Sequence, residues 1–73
     1  MKKYYFTFGS WEQFPYQNGY LIVQADSRND AIAKYRAKHP DINEGIVNCA
    51  FIYSEEQFSF DCYKGRQPFE VIV

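Results

Sequence analysis

A chain of 73 residues has room for one core, and its 47% apolar and 21% aromatic content belongs to a folded domain rather than a disordered segment. Eight basic against nine acidic residues leave a formal net charge of -1, which gives no general attraction for phosphate backbones or anionic lipid and is too small for a mimic of DNA. No apolar stretch nears the ~20 residues of a membrane span, Met1-Lys2-Lys3-Tyr4-Tyr5 opens no signal peptide, and two cysteines fall short of a secreted disulfide framework. A single cytoplasmic domain over residues 1–73, with Cys49 and Cys62 as reduced thiols, is the expectation.

Taken in chain order, Lys3 to Phe8 reads as a first strand, with Tyr4, Phe6 and Phe8 on one face and Tyr5 and Thr7 on the other. Gly9 ends it. A loop containing Trp11, Phe14, Pro15 and Tyr16 leads to Asn18-Gly19, a pair that tolerates positive φ. Tyr20 to Ala25 then reads as a second strand, returning antiparallel to the first across a long hairpin loop.

Asp26 and Ser27 are good N-caps, and Asp30 complements a helix N-terminus, so a helix is predicted from about Arg28 to Lys38. Ala31, Ile32 and Tyr35 form its apolar stripe, Asp30 and Lys34 make an i,i+4 pair, and Pro40 stops it. Ile46 to Tyr53 is nearly all apolar, which predicts a third strand in the sheet interior, buried on both faces. Ser54-Glu55-Glu56-Gln57 is a capping box that should open a short helix pinned by Phe58. Residues 59–68 read as loop, and Phe69 to Val73 as a last strand. The fold class is therefore α+β: a single-layer sheet of about four strands in the order ββαβ(α)β, β-grasp-like or split βαβ, with one main helix on one face.

Few residues suggest chemistry. His39 is the only histidine and sits just past a helix, where it compensates the dipole more readily than it serves as an acid or base. Cys49 falls in an apolar run and Cys62 has no partner to generate thiolate, so neither reads as a nucleophile. Glu55 and Glu56 are adjacent and face different directions, and the four glycines lie far apart at element ends. No catalytic residue, metal site or cofactor is expected. The first sign of an enzyme would be a cleft holding His39 beside a carboxylate.

Binding is the remaining class. Fifteen rings bury roughly 200 Å² each, so a chain this short needs most of them for its core. Trp11, Phe14 and Tyr16 lie on a long loop where recognition concentrates, weighed against a lid folded onto the open end of the core, with Trp11 the ring expected to stay partly exposed. Tyr5, near Lys2 and Lys3 on the outer sheet face, could stack single-stranded nucleic acid. The net charge opposes that, and a homodimer through the same face ranks above it.

The run Tyr4-Tyr5-Phe6-Thr7-Phe8-Gly9, Gly19-Tyr20 with Ala25 before a capped helix, Phe51-Ile52-Tyr53-Ser54-Glu55-Glu56 and Glu70-Val71-Ile72 resemble a group of short proteins of anaerobic Gram-positive gut bacteria and their prophages. These motifs are structural, and the group has no established activity to transfer. The resemblance implies a phage or mobile-element accessory factor. The expectation that follows is a non-enzymatic protein-protein interaction module with an unidentified protein partner, and single-stranded nucleic-acid binding is the alternative.

Overall fold

A computed structural model describes all 73 residues. Strand β1 (Lys2–Thr7) pairs antiparallel with β2 (Tyr20–Ala25) in the register Lys2 opposite Ala25 through Thr7 opposite Tyr20. Helix α1 (Arg28–Lys38) follows, then β3 (Phe51–Ser54), a 3₁₀ turn (Phe60–Tyr63) and β4 (Val71–Ile72). The strand order is β3-β1-β2-β4, with β3 antiparallel to β1 and β4 parallel to β2. Strands β2 and β3 thus run the same way on either side of β1 and are joined through α1. Of the two arrangements expected, this is the split βαβ and not the β-grasp.

The helix begins where its cap chemistry dictates: Ser27 is extended at φ -146°, and its Oγ accepts from the Asp30 amide at 3.1 Å. Its end is also set locally, the His39 amide bonding the Tyr35 carbonyl at 2.8 Å before Pro40. The expected Asp30–Lys34 pair is not made. Lys34 Nζ instead donates to the Gln24 carbonyl at 2.8 Å and ties the helix to the end of β2.

Beneath the helix, Tyr4, Phe6, Phe8, Leu21, Val23, Ala25, Ala31, Tyr35 and Ile72 form the larger core. Its centre is the stack of Phe6 on Tyr35 at 4.5 Å, and the Tyr35 hydroxyl bonds the Asn48 carbonyl at 2.6 Å. Burial pushes that hydroxyl's pKa up.

Two strand expectations need correction. The third strand is neither long nor interior: only Phe51–Ser54 is extended, it lies at the sheet edge, and Phe51 is 65% exposed. Residues 46–50 are irregular, with Val47 and Cys49 packed on the core and Ile46 exposed. A continuous apolar run buries its side chains as well from a loop as from a strand, which is why periodicity could not separate the two. The last strand shrinks to Val71–Ile72, although the Phe69 amide still bonds the Tyr20 carbonyl at 2.9 Å, and the Phe69 ring presses on Gly19. A β-carbon at Gly19 would sit 2.6 Å from the Phe69 ring, while the positive φ of the turn falls on Asn18 at 58°. Gly19 thus serves close approach rather than turn geometry.

The capping box forms as read, with the Gln57 amide donating to Ser54 Oγ at 3.3 Å and the Ser54 amide to Gln57 Oε1 at 3.1 Å. It yields one turn, not a helix. That turn delivers Phe58 to the outer sheet face, where it stacks on Tyr5 at 4.2 Å and 8° and joins Tyr20 in a second small core. Phe60 and Tyr63 close over Phe58 at 4.9 and 5.2 Å. The outer face around Tyr5 and Tyr20 is therefore covered, so Tyr5 is not bare for stacking, while Phe51, Phe60 and Val71 remain exposed.

Candidate functional site

The loop between β1 and β2 is held closed at its base by the Asn18 amide, which bonds the Gly9 carbonyl at 2.7 Å. Inside it, Gln17 Nε2 donates to two carbonyls, Trp11 at 3.1 Å and Phe14 at 2.8 Å, and the Phe14 amide returns to the Trp11 carbonyl at 3.2 Å. These bonds fix the backbone that carries the rings.

The four residues singled out for binding separate on this frame. Phe14 and Tyr16 turn inward as a lid, both edge-on to the buried Phe8 at 6.4 and 5.6 Å, and Tyr16 stacks on Phe69 at 4.4 Å and 6°. Trp11 stands on Phe14 at 4.6 Å and 88° and remains 47% exposed. Tyr5 is 3% exposed, and burial first, then the charge of Glu55 and the neighbouring Tyr20, push its hydroxyl pKa up. Its ring is spent on Phe58, so it cannot be a stacking platform.

Glu70 was missed, and it organises this end of the molecule. Its Oε2 accepts from the Tyr16 hydroxyl at 2.8 Å and from His39 Nε2 at 2.9 Å, and its Oε1 lies 3.9 Å from Lys38 Nζ. An ionised carboxylate only accepts, so the proton of this contact sits on Nε2 of His39. Partial burial pushes the Glu70 carboxyl up, but the bonds from His39 and Tyr16 and the charges of His39 and Lys38 together outweigh it and hold it below the ordinary value. The bond to Glu70 is in turn the main reason the Tyr16 hydroxyl is pushed up. A lone carboxylate between Phe69 and Val71 was the available signal, since charges in apolar runs are retained with partners.

His39 thus lies beside a carboxylate, the arrangement named above as the first sign of chemistry. The Tyr35 ring lies 5.0 Å from its imidazole and the Tyr16 ring 5.8 Å. The two concavities of the surface lie elsewhere. One of about 370 Å³ is lined by Lys2, Lys3, Tyr4, Ser54, Glu55 and Glu56, and one of about 240 Å³ by Gly9, Asn18, Gly19, Cys62, Tyr63 and Arg66. Cys49 is half-buried with its pKa pushed up to about 11 by burial, whereas Cys62 is exposed. No group of three or more His, Cys, Asp or Glu side chains is placed to hold a metal ion, and no helix is long and apolar enough to cross a membrane.

What this end of the sheet presents is an aromatic surface, Trp11, Phe14, Phe69 and Tyr16 grouped around buried Phe8, with a charged margin of Lys38, His39 and Glu70. No protein-family model, curated protein or solved structure matches the chain.

Proposed function

We propose that this chain is a non-enzymatic protein-interaction module of the cytoplasm that meets a protein partner through the aromatic end of its sheet, with Trp11 as the central contact. The observation that supports this is the pairing of exposure with restraint: Trp11 is half exposed, yet its carbonyl is fixed by Gln17 and Phe14. Tryptophan is the residue type that most often dominates binding energy at interfaces, and a ring held in place before binding loses little freedom on contact. The resemblance noted above gives the role a setting, a phage or mobile-element accessory factor acting on a host protein. Single-strand binding is the weaker reading, because the ring it required is buried beneath Phe58.

Substituting Trp11 alone tests the proposal, since Tyr16 has a structural bond to Glu70. Proteins retained from a cell lysate by the native chain and by Trp11→Ala are compared by mass spectrometry, with light scattering to detect a second copy as the partner. A protein held by the native chain and lost with Trp11→Ala, at an unchanged unfolding midpoint, is the expected result. Identical retention by both would retire this surface.

A further inference from the structure

The two edges of the sheet differ in how their backbone is finished. At β3 the polar groups are taken: the Ile52 carbonyl accepts from Arg28 at 3.1 Å, and the Ser54 amide and carbonyl are held by Gln57 and Phe58 of the turn that follows. At β4 nothing plays that part. The parallel register sets Ile22 opposite Val71, with the Ile22 amide bonded to the Glu70 carbonyl at 3.1 Å, and so turns both the amide and the carbonyl of Val71 away from β2. No loop bonds either group.

Sheet edges ordinarily carry a guard, such as a lysine, a proline, a bulge or a covering segment, because an open edge pairs with another extended chain. From Phe69 to Val73 the one charge is Glu70, which is bound to Tyr16, His39 and Lys38 on the helix side. Val71 and Val73 alternate with the buried Ile72 and so face the other way, 47% and 77% exposed, carrying the apolar surface of Ile22 out to the edge.

We propose that β4 pairs antiparallel with β4 of a second copy about a two-fold axis through Val71, joining two four-stranded sheets into one. The geometry of the edge selects this occupant. A pair centred on Val71 makes that residue its own partner, its amide and carbonyl exchanging both bonds with their copies. Valine then faces valine and Glu70 falls opposite Ile72, so no charge meets its like across the seam. The contact also closes on itself: the edge that remains on the pair is β3, whose polar groups are occupied, and assembly stops at two chains instead of growing. With a strand of two residues the seam is smaller than the ~1,200 Å² of a standard interface, so the dimer is weak and forms at high concentration.

The full chain is measured by light scattering from about 10 μM to about 1 mM, and amide hydrogen exchange is followed residue by residue over the same range. The apparent mass should rise from 8.7 kDa toward twice that value, with the Val71 amide slowing in step. Val71→Lys sets like charges against each other on the axis and should keep the chain monomeric throughout, at an unchanged unfolding midpoint in dilute solution. Should that variant fail to fold, the exchange of the native Val71 amide decides alone. Phe51→Lys at the guarded edge and Trp11→Ala should both leave the rise intact, which keeps this proposal separate from the reading of Trp11 as a partner contact. A single-chain mass at the highest concentration, a rise that survives Val71→Lys, a rise lost with Trp11→Ala or Phe51→Lys, or a Val71 amide indifferent to concentration overturns the pairing.

Discussion

The two faces of this sheet are closed by different means. On one, helix α1 lays Ala31 and Tyr35 over Phe6, Phe8, Leu21 and Val23. On the other, no helix is present, and a single capped turn followed by a 3₁₀ turn brings Phe58, Phe60 and Tyr63 over Tyr5 and Tyr20. A helix satisfies its own backbone and needs only a stripe of apolar side chains. The irregular segment covers the same kind of surface with fewer residues, because each stacked ring contributes far more area than an aliphatic side chain. In so short a chain this is how the middle of an outer face becomes a second core.

The comparison is broken most forcefully at Phe58. If the outer cluster is a core, Phe58→Ala should cost about 3–5 kcal/mol in chemical denaturation, as for other buried rings. If that face were ordinary surface the loss would stay within roughly 0.5 kcal/mol.

A smaller effect distinguishes the polar fastening at the helix side. The Glu70 carboxyl is held below its ordinary value in the folded chain. A depressed carboxyl contributes stability that is fully present above its unfolded value and is lost as pH falls through the lower folded value. Unfolding midpoints measured from about pH 5 down to about pH 3 should fall more steeply for the native chain than for Glu70→Gln. Equal slopes would show that Tyr16 and His39 do not hold this carboxylate.

The helix-side face was largely legible in the sequence because its signals are local. Alternation placed Tyr4, Phe6 and Phe8 together, and Ser27 and Pro40 bounded the helix to the residue. The outer face was legible only in part: Ser54 to Gln57 announced a turn and Phe58 an anchor, but nothing near Tyr5 said that Phe58 would stack on it across 53 positions of sequence. Strand β3 was placed too early and too centrally, since an apolar run signals burial and not backbone conformation. At the candidate site the same division holds. Trp11 was identifiable by residue type and loop position, whereas Gln17 and Glu70 act through contacts that pattern does not encode.

Tyr5 and Trp11 condense the whole comparison, one aromatic ring turned into the molecule and one turned out. Unfolding free energies of Tyr5→Ala and Trp11→Ala, measured side by side, test it most directly. A loss of about 3 kcal/mol or more for Tyr5→Ala with about 1 kcal/mol or less for Trp11→Ala is the predicted result. Equal losses, or a larger one at Trp11, would contradict the assignment of the outer face to the core and of Trp11 to a partner.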